Sequence, residues 1–109
     1  MALAPARVSM PAEAKAGDIV EIKALIRHVM ETGYRVDNVG KPIPRHIIKR
    51  FSVRYGGEEV FAMELTQGVA ANPFIAFTIR ADAAGELIFR WEDEAGEVIT
   101  VEKTLAVTA

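Results

Sequence analysis

The chain has 109 residues, half of them apolar and about a quarter charged, with 13 Lys and Arg against 15 Asp and Glu and a formal net charge of −2. That length makes one domain, residues 1–109, with room for a core that needs neither disulfide nor structural metal. The slight acidity excludes the basic face of a nucleic-acid binder, and the lack of any cysteine excludes a disulfide framework, a thiolate nucleophile and a thiolate metal site.

No run approaches the roughly 18 apolar residues of a membrane span. The opening Met1-Ala2-Leu3-Ala4-Pro5-Ala6-Arg7 has no charged region leading into an apolar one, so no signal peptide is read. On these grounds alone the expectation is a soluble cytoplasmic protein without membrane insertion.

In chain order, Arg7 to Met10 reads as a short strand closed by Pro11. Ala14-Lys15-Ala16-Gly17-Asp18 reads as a turn. From Ile19 to Met30 the pattern is period two, with Val20, Ile22, Ala24, Ile26, His28 and Met30 on one side. Successive side chains of a strand point to opposite faces, so this is a half-buried strand. Thr32 to Pro42 is polar and reads as an exposed loop.

Pro44 marks a loop or bulge, and a strand is predicted from about Ile48, where Phe51, Val53 and Tyr55 alternate with Ser52 and Arg54. Gly56-Gly57 is a hairpin signal, and the return strand runs from Glu59 to Leu65. Further strands are predicted over Phe74 to Arg80, Leu87 to Glu92 and Val98 to Val107. Asp37-Asn38-Val39-Gly40, Asp82-Ala83-Ala84-Gly85 and Asp93-Glu94-Ala95-Gly96 share one turn grammar, Asp first and Gly fourth. The last two are expected to close hairpins. About seven short strands without an amphipathic helix predict an all-β, immunoglobulin-like antiparallel sandwich.

Little of the chain suggests chemistry. Ser9 and Ser52 are the only serines and neither sits in a nucleophile elbow, so no catalytic residue is assigned. His28 and Met30 share a predicted strand face, and imidazole with thioether suits copper. Methionine on an apolar face is more often packing, so no metal or cofactor site is assigned either. A stand-alone sandwich that binds copper or serves as a protein-interaction module remains the alternative function. Lys41, Arg45, Lys49, Arg50 and Arg54 form a basic stripe, and Glu92, Asp93, Glu94 and Glu97 an acidic hairpin tip. Leu25, Val29, Ile43, Ile47 and Ile48 exceed what one sheet's inner face needs, which points to a partner subunit or, for the isolated chain, to a homodimer.

Several stretches together resemble the SoxZ family, the smaller subunit of the SoxYZ sulfur-carrier complex of thiosulfate oxidation. They are Ala14-Lys15-Ala16-Gly17, the segment from Ile26 through His28, Met30, Glu31 and Gly33 to Arg35, and Ile43-Pro44-Arg45 with Ile47, Ile48 and Phe51. Asn72-Pro73-Phe74 and the run from Asp82 through Gly85-Glu86 to Phe89 and Trp91 complete the set. The resemblance implies an immunoglobulin-like sandwich that does no chemistry itself. It implies a heterodimer with a SoxY-like partner, which bears the sulfur-carrying cysteine on a flexible arm, and transient contacts with the other Sox enzymes. It further implies a periplasmic location, reached by export with the partner. No family motif marks these positions; their distinctive wording combined with excess apolar area makes His28, Met30, Arg45, Ile47 and Ile48 the expected partner surface. The competing reading has Ile47 and Ile48 in the core.

Overall fold

A computed structural model describes residues 6–28, 30–66, 69 and 71–109. Among them are eight strands: β1 (Ala6–Ser9), β2 (Glu13–Lys15), β3 (Ile19–Ile26), β4 (Ile48–Tyr55), β5 (Glu58–Glu64), β6 (Phe74–Arg80), β7 (Gly85–Asp93) and β8 (Val98–Thr108). They form a three-stranded sheet in the order β1-β3-β6 and a five-stranded sheet in the order β2-β8-β7-β4-β5. The all-β immunoglobulin-like sandwich expected from periodicity is therefore observed.

The alternating residues meet between the sheets. Val20, Ile22, Ala24 and Ile26 of β3 face Phe51 and Val53 of β4, Leu87, Phe89 and Trp91 of β7, and Leu105 of β8, all of them buried. Phe51 sits at the centre, with ring centroids 5.0 Å from Trp91, 6.0 Å from Phe61, 6.2 Å from Phe77 and 6.5 Å from Phe89. Apolar burial on this scale is the main stabilising contribution to the fold.

Three expectations change. The turn at Ala14–Asp18 is shorter: Glu13–Lys15 is a strand that pairs parallel with Ala106–Thr108, so the sandwich is not wholly antiparallel. The turn proper lies at Ala16-Gly17, where Gly17 has φ 91° and the Asp18 carboxylate accepts from the Lys15 N–H at 3.0 Å. The strand from Ile19 stops at Ile26 and does not reach Met30. Its partner β6 begins at Phe74, and Pro73 has no N–H to extend the ladder, although its carbonyl still accepts from the Ile26 N–H at 3.3 Å. Finally, Asp82–Gly85 links β6 of one sheet to β7 of the other, so it is a crossing between sheets and not a hairpin. Asp93–Gly96 does close the β7–β8 hairpin, with the Gly96 N–H bonded to the Asp93 carbonyl at 3.2 Å.

Candidate functional site

Three of the segments that carry the family wording, around His28, Arg45 and Asn72, are far apart in sequence and converge at one end of the sandwich, whereas Ala14–Gly17 and Asp82–Gly85 meet at the other, where the Gly17 N–H donates to the Ala81 carbonyl at 2.7 Å. Past the end of β3, the main chain of His28 is clamped by Asn72. The His28 N–H donates to the Asn72 side-chain carbonyl at 2.9 Å, and the Asn72 N–H returns to the His28 carbonyl at 2.7 Å. Asn72 holds φ 54° to do so. Met30 follows with φ 49°, and its N–H donates to Nδ1 of His28 at 2.9 Å. Two left-handed non-glycine residues at one junction mark a backbone fixed by its surroundings.

From Glu31 to His46 the chain runs out and back as an arm. Glu31 and His46 exchange main-chain hydrogen bonds, both at 2.8 Å, and Val36 bridges Pro42 further out. The tip is the Asp37–Gly40 turn, where the Asp37 carboxylate accepts from the Val39 and Lys41 N–H groups at 2.9 and 3.0 Å. The stretch expected to be a plain loop is thus a hydrogen-bonded hairpin. At its base, Gly33 has φ 88°, and a Cβ there would lie 3.1 Å from the Arg45 Cβ. Only glycine fits that position without displacing the returning strand.

On the arm, Tyr34, Val36 and Val39 are 77%, 59% and 78% exposed. Arg45 projects at its base and forks onto Glu94 of the β7–β8 turn, with Nε 3.1 Å from Oε1 and Nη2 against Oε2. The hydrogen bond from Arg45 holds the Glu94 carboxyl below its usual range. Arg35 pairs with Glu31 at 2.7 Å, and Arg50 with Glu59 at 2.7 Å. One pair, Arg45–Glu94, thus joins the basic stripe to the acidic tip read from sequence.

Beneath the arm lie His28, His46 and Asp93. The two rings stand 4.8 Å apart at 60°. Asp93 uses one carboxylate oxygen to accept from the Ala95 and Glu97 N–H groups, at 2.9 and 2.8 Å, and the other meets Nε2 of His46 at 3.1 Å. Burial pushes the Asp93 carboxyl up, but the Glu97 N–H, the His46 ring and the Ala95 N–H together outweigh it and hold the group below its ordinary value. An ionised Asp93 fixes His46 as the donor through Nε2. The His28 pKa is lowered, by burial first and by His46 second, with Asp93 opposing.

One ligand atom from each of these three residues lies within 4.8 Å of the others, a spacing that raises the question of a metal. The donor set fits one poorly. Nδ1 of His28 accepts from an amide, which leaves the proton on Nε2, and that atom is buried without a partner. A metal-bound histidine instead donates its second ring nitrogen to an acceptor. The Met30 thioether is turned away to accept from the Ile48 N–H at 3.3 Å, so the expected His28–Met30 pair does not converge. Neither serine belongs to the cluster: Ser9 lies on β1 and Ser52 on β4. The cluster joins three chain segments and can gain or lose a proton.

Of the five residues expected on a partner surface, Met30, Ile47 and Ile48 are only 3%, 2% and 1% exposed. They lie inside the isolated fold, where a partner cannot touch them unless the sandwich opens. Their excess apolarity packs the end of the core beneath the arm. His28 is part-buried and Arg45 is exposed. Val29, another of the residues counted as apolar excess, lies outside the described residues.

These features define an immunoglobulin-like β-sandwich with a loop-built end and a projecting arm. Its sequence matches the family model described as Sulphur oxidation protein SoxZ over residues 7–104, and the chain belongs to the SoxZ family. It is thereby a Sox sulfur-oxidation protein. No curated protein matches it by sequence.

Among solved structures, the sulfur carrier protein SoxY from Chlorobium limicola f thiosulfatophilum is similar at a TM-score of 0.68 and 11% identity, with 95% of this chain and 79% of that one covered. The superoxide reductase (neelaredoxin) from Ignicoccus hospitalis aligns at a TM-score of 0.72 and 15% identity, covering 94% and 79%. The reduced superoxide reductase from Archaeoglobus fulgidus aligns at 0.58 and 20%, covering 93% and 86%. At these identities the likeness is one of fold alone.

Proposed function

We propose that this chain is the non-catalytic half of a heterodimeric sulfur carrier. In this reading it holds a SoxY-like subunit and presents that subunit's cysteine-bound sulfur to the thiosulfate-oxidising enzymes in the periplasm. The supporting observation is the family match along residues 7–104 of a chain that contains no cysteine. Sulfur carried covalently needs a thiolate, so within a carrier pair the reactive thiol belongs to the other chain. A second thiol beside a persulfide would also compete with it in exchange.

The partner surface is proposed at the arm and its base: Tyr34, Val36 and Val39, with Arg45 and His28 beside them. Exposed aromatic and aliphatic residues on a braced hairpin suit the few anchors that carry most of an interface's energy. Met30, Ile47 and Ile48 serve this surface from below by packing the base of the arm. A pull-down of the cysteine-bearing chain from the native host tests the placement. Tyr34→Asp and Val39→Asp should each lower its recovery by about tenfold, with thermal midpoints unchanged. Full recovery by both variants would move the interface elsewhere. Osmotic-shock fractionation of the same cells tests the periplasmic location.

A further inference from the structure

The two sheets do not cover each other evenly. On β8 the residues opposite Trp91, Phe89 and Leu87 are Ile99, Val101 and Lys103, so all three face inward. Leu105, next on that face, is fully buried, whereas Ile99 and Val101 are only half-buried and Lys103 is exposed. The cause is the width of the smaller sheet. Among the described residues, β1 pairs only with β3, and its other edge is free. Along Val98–Leu105, β8 pairs among the described residues only with β7, because β2 takes just Ala106–Thr108.

At the free edge of β1 lies a groove of about 410 Å³ that reaches from Val101 and Lys103 of β8 to Lys23, Leu25 and Phe74 on the outer face of the smaller sheet. Its apolar wall includes Val8, Leu25, Phe74 and Val101, and Phe74 is 58% exposed. Arg7, Lys23 and Lys103 rim it, and among the described residues no carboxylate lines it. Among the described residues Arg7 and Lys103 form no ion pair, and Lys23 reaches only the exposed Glu21, at 3.7 Å.

We infer that this groove receives an extended segment of another polypeptide in which carboxylates alternate with apolar side chains, docked as a fourth strand beside β1. Three independent features agree on that occupant. The free edge of β1 offers unpaired main-chain donors and acceptors, which is the basis of recognition by strand addition. The inward side chains of β8 lack a cover, and one more strand would supply apolar residues on that face at every second position. On the outer side of that strand, Arg7 and Lys23 fix the sign of the alternating charges. An inward lysine by itself is also a device that keeps an edge unpaired. A rim of three cations without a carboxylate goes further, since it selects a partner as well as deterring self-pairing. The inference concerns a different surface from the arm and stands whichever chain bears the thiol.

The test uses the full chain and a short capped peptide of alternating valine and glutamate, titrated while backbone amide resonances are followed. Shifts should concentrate at Ala6–Ser9 and Val98–Lys103, and Lys103→Glu or Lys23→Glu should weaken binding roughly fivefold to tenfold, as one exposed attraction becomes a repulsion. A backbone N-methylated version of the peptide should fail to bind. Equal binding of a valine–lysine peptide, full binding of the N-methylated one, or no binding at all would overturn the inference. Self-association of the chain that Lys103→Glu abolishes would assign the groove to a second copy and likewise overturn it.

Discussion

The middle of the sandwich and its loop-built end are held by different physics. Around Phe51 the contacts are apolar, come from strands with a strict alternation, and need only volume and pattern to form. Around His28 directed hydrogen bonds join segments distant in sequence: Asn72 to His28, His46 to Asp93, Arg45 to Glu94. The middle therefore resists small changes of shape but not loss of volume. The end tolerates loss of apolar area on its arm but not loss of a particular donor or φ. Stability resides in the first region, and the surfaces proposed for recognition lie in the second and along the free edge of β1.

The largest expected effect separates these regions by size. Phe51→Ala removes the ring that touches four others and should cost about 3–5 kcal/mol in urea unfolding. A cost near that of a surface substitution would contradict the placement of the core. Ile48→Asp, which on a surface would only weaken assembly, should unfold the chain, because Ile48 is buried.

Gly33→Ala is the sharper test of the end. It places a side chain at φ 88° against Arg45 and should cost about 1–3 kcal/mol, with the arm's amides losing protection against hydrogen exchange before those of β7. Uniform loss of protection would mean that the arm is no separate unit.

A smaller effect concerns pH. Unfolded His28 titrates near 6.5, and in the folded chain its pKa is lower, chiefly through burial. The unfolded state therefore binds more protons in the window between the two values. The stability that neutral His28 contributes is complete above the unfolded value and is lost as pH falls through that window. Urea midpoints at about pH 7.5 and about pH 5.5 should show this loss, and His28→Gln should reduce it. An unchanged pH dependence in the variant would remove His28 from the account. The smallest effect belongs to the arm's tip, where Tyr34→Asp and Val39→Asp should change stability by less than about 0.5 kcal/mol.

The strands were legible because period two depends only on neighbouring residues, and β3, β4, β6, β7 and β8 lie where alternation places them. The end of β3 was not legible, since it is set by Pro73, just ahead of its partner strand β6. The arm was signalled in part: Asp37–Gly40 is turn grammar, yet the Val36–Pro42 pairing across a polar stretch shows no alternation. Asp93 was read as a turn residue, which accounts for one of its oxygens. Nothing in the local pattern says that the other would meet His46. Ile47 and Ile48 looked like surplus apolar residues because counting by sheet face leaves out the floor of a loop-built end.

Native mass spectrometry of the protein purified from its own host, without denaturation, tests the central claim most directly. The account predicts a one-to-one complex with a chain of similar fold, with sulfur-mass adducts confined to that chain and released by a thiol reductant. A bare monomer or homodimer, or a partner without a reactive cysteine, would contradict it.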